Sequence, residues 1–273
     1  MWHNLAQLPR YRGLIQALVA RDLKARYRGS VLGFFWSFIN PLMLLSIYTF
    51  VFSTLMQNSD LRTKPFALFM FCGILPWTWF SLSVLEATTS LISGGNLIKK
   101  VLFPPEVLPI VSVLSNMVHF FLGLTILVAF IIGYKIAGFN VLPDWYNLPW
   151  FPVIVLVQLI FTLGLALMMS ALTVHFRDIR DLLSNLMMFW FFSTPIIYPY
   201  FLPSVAKYYW FFRLNPFFHL AVSYQEVLFF HGGSFAHGGH LKWLLVLGAA
   251  SCVFFLMGYW VFDRLRDSFA ETV

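Results

Sequence analysis

The chain has 273 residues, 60% hydrophobic and 19% aromatic, with only 11% charged. That balance excludes a soluble globular protein and places the chain among integral membrane proteins. The net charge of +7 does not point to nucleic acid, because the basic residues flank apolar segments, where anionic lipid headgroups account for them.

Residues 1–30 read as a cytoplasmic interface segment and 31–273 as a single transmembrane domain, with nothing left over for a sizeable soluble one. Within the first segment, YRGLIQALVARDLKARYR at 11–28 predicts an amphipathic helix. Leu14, Ile15, Leu18 and Val19 share one face, while Arg12, Arg21, Lys24, Arg26 and Arg28 supply the other. Such a helix lies in the membrane interface, either as a plain positive anchor or as a contact for lipid phosphate.

Six apolar stretches follow, at about 31–56, 66–92, 106–133, 150–174, 182–201 and 241–262. Each meets the roughly 20 residues that a spanning helix needs. An even number of spans puts both termini on one side. Most of the 18 Lys and Arg fall on that side, which makes it cytoplasmic. The first three stretches carry polar or small residues at helical spacing. These are Gly33, Ser37, Asn40, Pro41 and Tyr48; then Trp79, Ser83, Glu86, Ser90 and Ser93; then Ser112, Asn116, His119 and Gly123. Stripes of this kind favour helix–helix packing over a water-lined path. Glu86 is the one carboxylate well inside a span, and its readings are a functional acid or a partner for a neighbouring helix.

The cytoplasmic turn NLIKKVLFPPEVLPI has Asn96 placed to cap a short helix, with Leu97, Ile98, Val101 and Leu102 around Lys99 and Lys100. Pro104 and Pro105 stop that helix, and Glu106 favours the start of the next. It reads as a docking knob for a soluble partner or as a proline-stiffened turn. In the next turn, HFRDIRD, Arg177 and Asp181 stand four apart and pair if helical.

The stretch from Ser193 to Phe230 is aromatic and apolar, yet Pro195, Pro199, Pro203 and Pro216 interrupt it. Broken backbone at membrane depth persists only where protein buries it or where it lines a wet cavity. Pro195 ends or kinks the fifth span, and a short helix is expected over about 204–212. Asn215 and Pro216 are the cap and first position of another over about 217–230.

No catalytic pattern emerges. GxxxxGK[ST], HExxH, GxSxG and CxxC are absent. His231, His237 and His240 lack an acid or cysteine to complete a metal set, and Cys72 and Cys252 read as small apolar residues.

RGSVLGFFWSFINPL, NLIKKVLFPPEVLPI, HFRDIRD, TPIIYP and LNPF, in this order behind a basic amphipathic helix, resemble the type-2 ABC transporter permeases that export O-antigen, capsule or teichoic-acid polysaccharide. The resemblance runs over nearly the whole chain. It implies an all-α membrane fold of six spans, an N-terminal interface helix, and two short re-entrant helices between spans five and six. It implies a homodimer with two copies of a soluble ABC ATPase, which would carry ATP and Mg, so that this chain binds no cofactor and catalyses nothing itself. The implied substrate is lipid-linked polysaccharide, crossing the cytoplasmic (inner) membrane at the dimer interface.

By the same resemblance, Leu97, Ile98, Lys99, Lys100, Val101 and Leu102, with Arg177, Asp178 and Asp181 nearby, would couple to the ATPase. Phe35, Trp36, Phe38 and Tyr48 of span one and Phe189, Trp190 and Phe192 of span five would line the route. Arg26 and Arg28 would meet the lipid pyrophosphate, since guanidinium suits phosphate oxygens. Pro195, Tyr198, Asn215 and Pro216 would belong to an outer gate. Three rival readings remain: a permease of the same architecture for drugs or other lipids, a membrane-embedded glycosyl- or acyltransferase, and a scaffold that only anchors an ATPase.

Overall fold

The structure, a computed structural model, describes residues 8–51, 63, 65–95, 104–139, 141–230 and 240–269. Among the described residues the regular structure is helical, with no strand. A 3-10 turn at Leu8–Tyr11 leads into α1 (Arg12–Arg26). Its expected apolar face is the one that packs. Leu18 is buried with Val107 and Val111, and Leu14, Ile15 and Val19 surround them. Gly29, at φ 81°, turns the chain out of α1 through left-handed backbone that other residues enter only with strain.

α2 (Trp36–Thr49) holds Pro41, and α3 (Phe66–Ser93) holds Pro76. α4 (Val107–Ile136) and α5 (Phe151–His175) are uninterrupted apolar helices. Then come α6 (Ile179–Phe192), α7 (Pro203–Ala206), α8 (Tyr209–Leu214), α9 (Pro216–Leu228) and α10 (His240–Leu265). Among the described residues, four helices are long and apolar enough to cross a bilayer: α3, α4, α5 with its leading turn, and α10 with its trailing one. The stretch 31–56 contains the shorter apolar helix Gly33–Thr49, and residues beyond 51 lie outside the described ones. α6 has 14 residues, about 21 Å at the α-helical rise, against a hydrocarbon core of about 30 Å.

Burial identifies the centre. The most apolar window of α3 is 78% buried, against 50% for α5, 28% for α10 and 22% for α4. α3 packs on α4, α5, α6 and α9, and α5 in turn packs on α10. That last contact runs backbone to backbone. A Cβ added at Gly164 would lie 2.8 Å from the Phe255 Cα, and one at Gly258 would overlap the Gly164 carbonyl. Small residues let membrane helices approach this closely.

The proline-broken stretch folds against the same centre. The helix expected over 204–212 is two short pieces, α7 and α8, parted at Lys207 and Tyr208. The second expected helix is α9, with Asn215 as its cap and Pro216 in its first turn. α9 begins with Phe217 against Trp77 and Phe80. At its far end Phe229 meets Phe69. The eleven residues from Phe69 to Phe80 correspond to about 16 Å along α3, so Asn215 lies well inside the bundle. Every residue from Phe217 to Leu228 except His219 is buried.

Candidate functional site

At the α1 end of the bundle, Arg26 closes α1 and reaches between α3 and α4. Its Nη2 donates to Glu86 Oε2 at 2.6 Å, its Nη1 to Asn116 Oδ1 at 3.2 Å and its Nε to Asp22 Oδ2 at 3.1 Å. Asn116 Nδ2 donates to the same Glu86 oxygen at 2.6 Å. An isolated exposed ion pair contributes about 0–1 kcal/mol. Here the side chains keep only 25% and 36% of their exposure, and losing Glu86 would strand a donor on each of two other elements. Burial pulls the Arg26 pKa down, but Glu86 and then Asp22 more than offset it, so the guanidinium stands above its ordinary value. Glu86 is therefore a partner for neighbouring helices, one of its two sequence readings.

A second chain of hydrogen bonds begins one residue later. Ser37 Oγ donates to Tyr27 Oη at 2.6 Å. Tyr27 Oη lies 2.6 Å from His119 Nε2, whose Nδ1 lies 2.9 Å from the Ser115 carbonyl. A carbonyl can only accept, so His119 Nδ1 carries the proton and Nε2 accepts from Tyr27. All donors thus run one way, from α2 through the α1 end into α4.

These two networks divide two cavities. One, of about 520 Å³, lies on the α1 side, with Arg21, Asp22, Ser90 and Ser112 in its wall. The other, of about 460 Å³, runs up between α2, α3 and α4. Arg26 and Asn116 line it along with Ser37, Asn40, Trp79 and His119. The first and third polar stripes thus meet at this second cavity, while the second stripe faces the first cavity through Glu86, Ser90 and Ser93. Of the residues here, Asn116, His119, Ser37 and Glu86 were legible as stripe positions. Tyr27 and Asp22 were not, although Asp22 stands four residues before Arg26 on α1, a spacing that signals a helical ion pair.

Toward the other end, Asn215 joins α6 to α9. Its Oδ1 accepts from the Trp190 indole at 2.7 Å and from Phe217 N at 3.0 Å. Its Nδ2 donates to Thr194 Oγ1 at 2.9 Å and to the Ser193 carbonyl at 3.2 Å. Gln225 Nε2 on α9 donates to the carbonyl of buried Pro195 at 3.2 Å, and Tyr198 donates to the Phe192 carbonyl at 2.9 Å. Trp190 and Pro216 also line a cavity of about 380 Å³ with Phe161 and Ser251.

The expected route aromatics occupy two sites. Phe35, Trp36, Phe38 and Tyr48 belong to α2 and its leading turn, which packs on α3 and α4; Phe189, Trp190 and Phe192 belong to α6, which packs on α3 and α5. Phe35, Phe189 and Phe192 are exposed, whereas Trp36, Phe38, Tyr48 and Trp190 are half-buried. Trp190 is committed to Asn215 and to edge contacts with Trp77 and Phe80. Arg28 is exposed just past α1. Arg177, Asp178 and Asp181 are exposed at the start of α6, near the end where α5 stops. Leu97, Ile98, Lys99, Lys100, Val101 and Leu102 lie outside the described residues, as do His231 and His237.

Glu106, just before α4, is 2% exposed. Arg266 Nη1 stands 3.6 Å from its Oε1, and its Oε2 has no hydrogen-bond partner. Burial, assisted by Asp263, holds its pKa above the ordinary glutamate value against Arg266 and its own backbone N–H.

The described residues thus form a helical membrane bundle in which Arg26 ties α1 to α3 and α4 and a capped, buried α9 lies along α3. Residues 13–229 match the ABC-2 type transporter family, and the chain belongs to it. Among curated proteins, the chain is 37% identical to an O-antigen export system permease protein RfbA from Myxococcus xanthus over 268 residues, 98% of each chain. It is 31% and 30% identical to two proteins of the same name from Klebsiella pneumoniae, covering 94% of each chain in both cases.

Proposed function

We propose that this chain is the membrane-spanning permease subunit of an ABC exporter that carries O-antigen-type polysaccharide across the cytoplasmic membrane. The observation that carries this reading is full-length similarity to O-antigen export permeases, with 98% of both chains aligned in one case. Family membership supports a transport role without a catalytic site of its own. A soluble ABC ATPase, two copies per complex and carrying ATP and Mg, supplies the energy. The substrate is polysaccharide on a lipid carrier.

In this reading two copies of the chain pair, and the route runs between them. The exposed aromatics Phe35, Phe189 and Phe192 support a face that meets either lipid or a second copy. Aromatic faces suit sugar rings because stacking grips without reading each hydroxyl, as it does for bases. The six-span count rests on α2 with residues beyond 51 and on α6 with the chain after Phe192. The depth of Asn215 beside Trp77 and Phe80 supports reading α8 and α9 as a re-entrant pair, with Pro195, Tyr198, Asn215 and Pro216 at an outer gate. Both termini are cytoplasmic, with Lys99, Val101, Arg177 and Asp181 on the side that meets the ATPase, and Arg26 and Arg28 near the lipid headgroups.

The test is genetic and biochemical together. Deleting the chain is expected to abolish surface polysaccharide while lipid-linked polymer accumulates inside, and restoring it is expected to recover export. The tagged chain is expected to retain a phosphate-loop ATPase on purification, and Lys99→Asp with Val101→Asp to release it. Undiminished surface polymer in the deletion strain would overturn the reading.

A further inference from the structure

The cavity between α2, α3 and α4 has a polarity gradient along the bundle. α2 leads away from the α1 end, so Ser37 lies near that end and Leu44 about 10 Å further along. α3 runs the opposite way, so Leu75 lies at the far end and Glu86 at the near one. The near end is therefore walled by Arg26, Tyr27, Ser37 and Asn116, and the far end by Leu44, Leu75 and Phe120. An amphiphile standing in one leaflet has the same sequence of groups, head at the interface and chain below it.

The near end carries little net charge. Arg26 is bonded to Glu86, Asp22 and Asn116, so an incoming anion would have to displace a carboxylate. What the wall offers is neutral: the Asn40 amide and the acceptor side of the Ser37–Tyr27–His119 chain, whereas both Asn116 Nδ2 hydrogens are taken by Glu86 and the Ser112 carbonyl. Asn40 is exposed on the mostly apolar α2, a costly placement in hydrocarbon unless it meets a polar partner. Thr78 is exposed at the cavity's edge, and its hydroxyl already donates to the Ile74 carbonyl. A volume of about 460 Å³ falls within the roughly 300–1,000 Å³ of ordinary ligand sites.

We propose that each subunit holds one amphiphile in this cavity, its apolar chain along Pro41, Leu44, Leu75 and Phe120 and an uncharged hydrogen-bonding head at Asn40. Two sources offer that chemistry. A glycerolipid of the bilayer has ester carbonyls at this depth. The lipid-linked polymer has sugar hydroxyls beyond the diphosphate that joins them to its chain, and only this second source rests on the exporter reading.

Native mass spectrometry of the purified full-length chain tests the site, with palmitoyl-oleoyl phosphatidylethanolamine and a polyprenyl-diphosphate-linked N-acetylglucosamine as separate probes. The wild type is expected to retain one saturable molecule per chain. Thr78→Phe, which plugs the cavity edge, and Asn40→Leu, which removes a head contact from an exposed position, are expected to weaken that binding about tenfold or more. Thr125→Phe, exposed on α4 outside the cavity, is expected to bind as wild type. Retention of phosphatidylethanolamine assigns the site to membrane lipid, and retention of the sugar lipid assigns it to substrate. Equal retention by all four proteins, or binding that never saturates, would overturn the site. Surface polymer in the deletion strain scores the exporter reading separately, so one result can fail without the other.

Discussion

Arg26, at one end of the bundle, and Asn215, deeper within it, each tie three or more groups together, yet they are built differently. The Arg26 network is ionic, has exposed members and stands between two cavities. The Asn215 network is neutral, and α9 behind it is buried on nearly all sides. An ion pair tolerates partial solvation and can part and re-form, because water takes over its charges. A half-buried indole N–H and an orphaned helix start have fewer substitutes, and leaving each unsatisfied costs up to about 1–3 kcal/mol. The Asn215 end is therefore a fixed joint. The Arg26 end is a contact that α1 can release if it shifts.

Substitutions break this comparison in a definite order. Asn215→Ala removes a helix cap, about 1 kcal/mol, and strands the Trp190 N–H at roughly 1–3 kcal/mol more. It is expected to give the largest drop in unfolding temperature in detergent, and Asn215→Asp, which keeps the acceptor, a smaller one. Gly258→Ala drives a methyl into the Gly164 carbonyl. Overpacking of this kind costs about 1–3 kcal/mol, and Gly258→Ser should be no better tolerated.

Glu86→Ala is expected to cost only about 1 kcal/mol, since Asp22 still neutralises Arg26. Arg26→Glu combined with Glu86→Arg should recover part of the loss seen in either single variant. A double-mutant cycle without coupling would show that the two ends do not differ as described.

The smallest effect concerns Glu106, whose folded pKa is raised. For a raised carboxyl, folding favours the protonated form. Its ionisation therefore weakens the fold as pH climbs from the unfolded value, about 4.3, through the folded one. Relative to Glu106→Gln, the wild type should lose thermal stability over that rise and level off above it. A flat difference between the two proteins would remove burial as the controlling influence on this carboxyl.

Much of the molecule was legible before any coordinates. Leu14, Ile15, Leu18 and Val19 shared a face because helical geometry dictates it, and that face does pack. Asn215 and Pro216 announced a helix start through cap chemistry alone. Harder to read was the helix expected over 204–212, because its break at Lys207 and Tyr208 has no proline or glycine to mark it. The Gly164–Gly258 contact was also hidden, since each glycine is unremarkable on its own helix. Tyr27 carried no stripe signal, because it stands outside the spans it bridges.

Composition fixes a membrane chain, because 60% hydrophobic residues cannot stay in water, and its long unbroken apolar runs select helices, which satisfy their own backbone in lipid. Periodicity then sets which residues share a helix face, since both depend only on local geometry. Tertiary structure alone decided that the polar stripes of α2 and α4 meet at one cavity, that Glu86 answers Arg26 sixty residues away, and that α9 is buried along α3. Those outcomes depend on how helices rotate and cross, which is settled by the summed packing of the whole bundle and by no segment within it.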